Sequence, residues 1–396
     1  MRRTTFLGAA VASALAAGSS ASAVSAQPAP FDARNGRRAL VLAGGGARGA
    51  YEAGIVGAMV ATLGLSDGMP LPYDLICGTS IGALNAFCVA TAQYALLKWA
   101  WTAIPQYRVI RLMSPYDNIK KQSAGILTRG GAALSLGTGI FKDVRGVLNN
   151  AETASFIEEF ISPSVPVHLP FYFASTNLSR MRGEIFVRRA NTPAGLIKQA
   201  TDDRLLKDYT RVIVREATNE LLHSAIFASA AMPLAFEPIV LPSPEGTLDS
   251  YVDGGVTHNV PIGVARHCAA TLDVVLVDPI PHGNPIAYQD AVEIGVGVFS
   301  TMQHSLLEYQ LLLAYATSYI FGDLAGGATL PTPDQTGLKA ILARTPLQFN
   351  VIRPPGALPG SVLSFSDAPA LQAMWQRGYE DGTKGFAPYV PPFVAS

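Results

Sequence analysis

The chain has 396 residues, 49% apolar and 15% charged, and its formal net charge is zero. Such a composition excludes a disordered polymer, and balanced charge without blocks of one sign excludes a long-range electrostatic grip on nucleic acid. Cys77, Cys88 and Cys268 are too few, and odd in number, for a disulfide framework; with six scattered histidines they give no zinc-ligand spacing.

In chain order, Arg2 and Arg3 precede an alanine-rich apolar run over 6–17 and small residues ending at Ser25-Ala26. Residues 1–26 thus have the pattern of an export signal cleaved after Ala26, with Ala23 as the alternative, and the arginine pair resembles a twin-arginine signal. The run is too short and too weakly apolar to read as a spanning helix. Its removal leaves a slightly acidic chain, expected to be periplasmic or secreted.

A polar lead-in over 27–38 is followed by an expected buried strand over 39–42 and a helix over 47–63. A strand over 73–77 and a helix over 80–93 come next. This alternation predicts an α/β fold with a mostly parallel central sheet flanked by helices on both faces. The glycine-rich stretch 125–139 lacks the Gly-Lys-Ser/Thr ending of a phosphate loop and reads as a connection. Neighbouring strands are expected over 171–175 and 184–188. A helix over 220–231 must stop at Pro233, and a buried strand follows over 272–277. The apolar stretch 288–321 is interrupted by Glu293, His304 and Glu308 and weakened at Gly295 and Gly297, so it reads as a core or lid helix pair. A strand over 347–352 and a helix over 368–379 close the chain. The motif-bearing core is expected over 38–285, with 286–396 a helical extension packed on it in the same domain.

Two glycine-bearing turns carry chemistry. Gly44, Gly46 and Gly49 form G-x-G-x-x-G between a strand and a helix, a loop whose backbone N–H groups suit a pyrophosphate or another anion. Gly78-Thr79-Ser80-Ile81-Gly82 matches G-x-S-x-G where a buried strand turns into a helix. A nucleophile elbow needs such small flanks, because the serine backbone is strained and its Oγ must project clear of the sheet. An activated serine needs a base. His223 reads as a packed histidine, while His168, His267, His282 and His304 show no special turn chemistry. His258 lies closer to an unusual place, just after Tyr251-Val252-Asp253-Gly254-Gly255, although an Asp-Gly turn by itself is common.

Together, Gly44-Gly45-Gly46-Ala47-Arg48-Gly49, Gly78-Thr79-Ser80-Ile81-Gly82 and Asp253-Gly254-Gly255 resemble the patatin-like phospholipases. Ala228-Ser229-Ala230-Ala231-Met232-Pro233 is similar to that family's A-S-x-x-x-P segment, and the resemblance runs over about 38–279. It implies a serine–aspartate dyad, with Ser80 the nucleophile and Asp253 its base. It also implies an oxyanion cradle at Gly44, Gly45 and Gly46, with Arg48 either adding charge there or bracing the loop. Gly78, Gly82, Gly254 and Gly255 would support the turns. The implied substrate is a lipid or smaller ester, met in transient contact with a membrane surface, with no cofactor and no metal. The alternatives are an α/β-hydrolase-like esterase pairing Ser80 with His258, and a non-catalytic nucleotide- or lipid-binding protein. Against a dinucleotide stands the second strand's end: a ribose-binding acid belongs there, yet it carries Cys77-Gly78-Thr79-Ser80, with Asp67 and Asp74 falling earlier. No EF-hand-type loop suggests calcium.

Overall fold

Apolar runs too short for helices, punctuated by glycine and proline, build the sheet of this protein, seen here in a computed structural model. The structure describes residues 34–103, 150–207, 213–279, 291–325, 347–360 and 362–390. The segment 1–26, expected as an export signal, and the glycine-rich stretch 125–139 lie outside these residues.

Strand β1 (Arg38–Leu42) leads through a single 3₁₀ turn at Gly46–Arg48 into helix α1 (Gly49–Thr62). Strand β2 (Leu75–Thr79) is followed by α2 (Ile81–Ala90), α3 (Tyr94–Thr102) and α4 (Asn150–Phe160). Next come β3 (Phe171–Asn177), β4 (Arg182–Arg188), α5 (Pro193–Leu206), β5 (Ile213–Glu216) and α6 (Leu222–Ala230). Strands β6 (Ile239–Pro242) and β7 (Leu248–Asp253) lead to a short helical turn α7 (Gly255–His258), helix α8 (Ile262–Cys268) and β8 (Thr271–Val275). The chain ends with α9 (Ala291–Ala325), β9 (Gln348–Ile352), α10 (Ala368–Lys384) and a two-residue strand β10 (Ala387–Pro388).

The strands form one sheet in the order β10-β9-β8-β1-β2-β3-β4-β5, with β7 also paired to β3 and β6 to β7. The run β9-β8-β1-β2-β3 is parallel throughout, and β4 pairs parallel with β5. Antiparallel pairing enters at the β3–β4 hairpin, the β7 branch and the β10 edge. The mostly parallel centre with helices on both faces agrees with the sequence. Alternate residues of β1 show why: Leu40 and Leu42 enter a core made with α1, α2, α3, α6 and α10. Ala39 and Val41 face the opposite way, into a second core with α8 and the Leu307–Leu311 turn of α9. A strand covered on both faces must be apolar where it is covered, and β1 is so from Ala39 to Leu42, with only Arg38 at its exposed start.

The sheet reverses its chain order at β1, since β2 lies on one side of it and β8 on the other. In open α/β sheets the crevice beyond the carboxyl ends of the strands at such a reversal is where ligands bind. The loop after β1 is Gly44–Gly46, and the turn after β2 is Ser80.

Three local expectations shift. The second strand runs over Leu75–Thr79 rather than 73–77, because its ladder with β3 continues to the pair Thr79–Ala174. The stretch expected as a helix pair is one continuous helix, Ala291–Ala325. Gly295 costs it about 1 kcal/mol of propensity but leaves room for the side chain of Leu234. The C-terminal region is also more than a helical extension, since β9 pairs with β8 across five residues inside the sheet. Among the described residues no helix is long and apolar enough to cross a membrane.

Candidate active site

Ser80 sits between β2 and α2 with φ 55° and ψ −128°, a conformation that costs a residue bearing a Cβ about 1–3 kcal/mol. The surroundings enforce it. Gly82 rides directly over the end of β1, where a Cβ would lie 2.6 Å from the carbonyl oxygen of Ala43. That close approach presses the first turn of α2 against the sheet and turns Ser80 outward. Gly78 faces Gly82 from the strand side, with no room for a side chain between them.

The Ser80 hydroxyl donates to Oδ2 of Asp253 at 2.6 Å, across 173 residues of sequence. Asp253 is the last residue of β7, placed there by antiparallel pairing with Ser175 of β3, the strand next to β2. Its other oxygen accepts the backbone N–H of Gly255 at 2.7 Å. The residue is 1% exposed. Burial pushes its pKa up to about 7, opposed by the hydrogen bonds from Ser80 and Gly255. A carboxylate so raised is a better proton acceptor than an ordinary aspartate and is still largely ionised slightly above neutral pH.

Beside this pair lies the glycine loop. Gly46 has φ 57°, and a Cβ there would collide with the carbonyl oxygen of Val362, so only glycine serves. Gly45 and Gly46 line the same cavity as Ser80, and neither N–H has an acceptor among the described residues. The loop is anchored on each side of them. Gly44 donates its N–H to the carbonyl of Asn259 at 3.0 Å, and Ala47 donates to Val362 at 2.9 Å.

The cavity measures about 180 Å³ and is predominantly apolar, with Ile81, Leu84, Trp101, Phe156, Phe299 and Leu363 among its walls. Ser80 and Asp253 stand in those walls. A hydroxyl bonded to a raised carboxyl, free N–H groups nearby and an apolar chamber together make an arrangement suited to acyl transfer from an apolar ester. The family model described as patatin-like phospholipase matches residues 40–266, more than half of the chain.

The chain belongs to the patatin-like phospholipase family, a family of lipid ester hydrolases.

Lysophospholipase NTE1 of Phaeosphaeria nodorum is 28% identical to it over 172 residues, which is 41% of this chain but 10% of that protein. The chain thus spans a small part of that relative's length. VipD from Legionella pneumophila is a solved structure with 14% identity and a TM-score of 0.35, covering 88% of this chain and 66% of that one.

Within this patatin-like site, the structure bears on three sequence readings. Gly44 was expected in the oxyanion cradle, but its N–H is taken by Asn259, which leaves Gly45 and Gly46 as the open donors. Arg48 was expected either at the oxyanion or as a brace. Its guanidinium pairs with the carboxylate of Asp278, just past β8, so it braces the loop from behind. His258 does not approach Ser80. Its ring lies against Gly183 on β4 with Nδ1 3.0 Å from Thr257 Oγ1, and burial lowers its pKa. The His258 backbone is the part that serves the turn, its carbonyl accepting the Thr79 hydroxyl at 2.7 Å. Gly254 passes so near the Ala174 carbonyl that a side chain would clash, and it donates its N–H to Ser229.

Other residues of the patatin-like site were not singled out from sequence. Asn85 donates to Glu52 Oε2 at 2.9 Å and to the Gly49 carbonyl at 3.0 Å, and accepts the Trp101 Nε1–H at 2.9 Å. This buried chain joins the cavity wall to the first turn of α1. The signal was an asparagine alone in an otherwise apolar helix, which must find partners when buried. Gln303 of α9 also lines the cavity, and nothing local in the sequence distinguishes it. Among the described residues no cluster of His, Cys, Asp and Glu could hold a metal ion.

Proposed function

We propose that this patatin-like protein is a lipid acyl hydrolase working through an acyl-enzyme on Ser80, with Asp253 as base. The single observation carrying the reading is the 2.6 Å hydrogen bond from Ser80 to a buried carboxyl whose pKa is raised, at the wall of an apolar cavity. As Ser80 Oγ bonds to the ester carbonyl carbon, its proton passes to Asp253. The carbonyl oxygen gains the negative charge and meets the N–H groups of Gly45 and Gly46, which need no reorganisation to receive it. Collapse breaks the ester C–O bond, and Asp253 returns the proton to the departing alcohol or lysolipid. Water then attacks the acyl-Ser80 ester, losing a proton to Asp253; the acyl–Oγ bond breaks, Asp253 returns that proton to Ser80 Oγ, and the fatty acid leaves.

Export is part of the proposal, resting on the arginine pair, the apolar run and the small residues before Gln27. Fluorophosphonate labelling and short-chain nitrophenyl ester hydrolysis test the chemistry in wild type, Ser80→Ala, Asp253→Asn and His258→Ala. Labelling and turnover should vanish in Ser80→Ala, turnover should collapse in Asp253→Asn, and His258→Ala should retain most of it. Labelling that survives Ser80→Ala would refute the nucleophile. Full activity in Asp253→Asn would refute the dyad alone.

A further inference from the structure

The segment Ala228-Ser229-Ala230-Ala231-Met232-Pro233 has no place in the chemistry above, yet it touches both halves of the pair, Ser80 through a side chain and Asp253 through its backbone. Ser229 is fully buried, stands one residue before the end of α6, and is not among the cavity walls. Its hydroxyl accepts the backbone N–H of Ser80 at 3.0 Å and donates to the Ala174 carbonyl of β3 at 2.6 Å. Because the one hydroxyl hydrogen goes to Ala174, the lone pairs are left for Ser80, so the bond has a fixed direction. Its carbonyl accepts the N–H of Gly254 at 3.1 Å, and two residues later the Ala231 carbonyl accepts the N–H of Asp253 at 2.8 Å.

The four-residue spacing to proline explains why that carbonyl is free. In a continuing helix the carbonyl of Ser229 would accept the N–H of residue 233. Position 233 is proline and has no N–H, so α6 ends and the carbonyl is available to another segment.

We propose that Ser229 is a positioning residue that clamps Ser80 and Asp253 into one geometry, its hydroxyl holding the nucleophile turn and its carbonyl, released by Pro233, holding the aspartate turn. This rests on the assignment of Ser80 and Asp253 as the reacting pair. The strained Ser80 backbone places a buried N–H where the sheet ladder of β2 ends and helix α2 begins, and the Ser229 hydroxyl satisfies it. Without that acceptor Ser80 can relax, and its Oγ leaves Asp253.

The test compares full-length wild type with Ser229→Ala, Ser229→Cys and Pro233→Ala, with Ser80→Ala as reference. Fluorophosphonate labelling rate, kcat and KM on a nitrophenyl ester, their pH profiles and thermal melting are measured. In Ser229→Ala, labelling and kcat should fall about 10- to 100-fold per folded molecule, with KM held within about twofold. The acidic limb of the profile should move to higher pH, because the Ser80 hydrogen bond that helps keep Asp253 ionised is weakened. Ser229→Cys, of nearly the same size but a weak acceptor, should fall between, and it carries the test if the alanine variant does not fold. Pro233→Ala, which restores a competing N–H, should lower kcat while the Ser229 hydroxyl is intact. A folded Ser229→Ala or Ser229→Cys protein with wild-type labelling and pH profile overturns the clamp. So does a loss confined to melting temperature or to KM. Labelling of Ser80→Ala would instead overturn the underlying assignment, so the two failures are distinguishable.

Discussion

Asp253 concentrates the physics of the site in one carboxyl. Burial raises its folded pKa to about 7, whereas in the unfolded chain it titrates near 4. The ionised form is therefore lost as pH falls through 7, and on the dyad proposed above the rate of ester hydrolysis should decline there with a single proton, well above the range of an ordinary aspartate. The same shift has a consequence for stability. The unfolded chain ionises this group first, so above about pH 4 the charge penalises the folded state, increasingly up to pH 7 and constantly beyond. Below pH 4 the penalty is absent. Replacing Asp253 by Asn should then raise the melting temperature at pH 8, by an equivalent of up to about 4 kcal/mol, and give no gain at pH 4. A melting difference that is the same at both values would contradict the burial argument. Ser80 likewise costs the fold stability through its positive-φ backbone.

At the scale of elements, the site consists of three chain turns held by their neighbours. The glycine loop is tied forward to Val362 and backward to Asp278 through Arg48. Since that arginine is paired with Asp278, its removal and that of its partner should have the same effect. Arg48→Ala and Asp278→Asn should each lower kcat several-fold with little change in KM, and the double variant should be no worse than either. If Asp278→Asn keeps full activity while Arg48→Ala loses it, the guanidinium acts on the substrate directly. Most elements were legible in sequence: β1, the glycine loop, β2 and the elbow follow from apolar runs ending at glycine clusters. The reading of 288–321 as a helix pair failed because two glycines were counted only for their propensity. In the fold, α9 is held by Leu307 and Leu311 in the second core, and Leu234 fills the space beside Gly295.

At the scale of the whole molecule, the cavity is shared between distant parts of the chain. Trp101 stacks on Phe365 with ring centroids 6.4 Å apart, one residue inside the family match and the other beyond it. Phe299, Leu363 and Leu371 extend that second contribution, so the C-terminal region helps to set the chamber that an acyl chain would enter. The Phe365→Ala variant should shift the preference among nitrophenyl esters toward longer acyl chains, at some cost in stability. An unchanged chain-length profile would place the acyl chain elsewhere.

The α/β class, the central parallel strands, the turn at Ser80 and the turn at Asp253 were legible in the sequence. Each is written locally, in apolar runs that only a covered strand tolerates and in glycines that only a tight turn needs. Tertiary structure decided which groups face one another. That the partner of Ser80 is Asp253 and not His258 depends on β7 pairing with β3, next to β2, a contact across 173 residues. That Gly44 and Arg48 belong to the frame depends on Asn259 and Asp278 arriving from another part of the chain. Hydrogen bonds and ion pairs of this kind have no period along the sequence, because the residues that make them meet only once the sheet has formed.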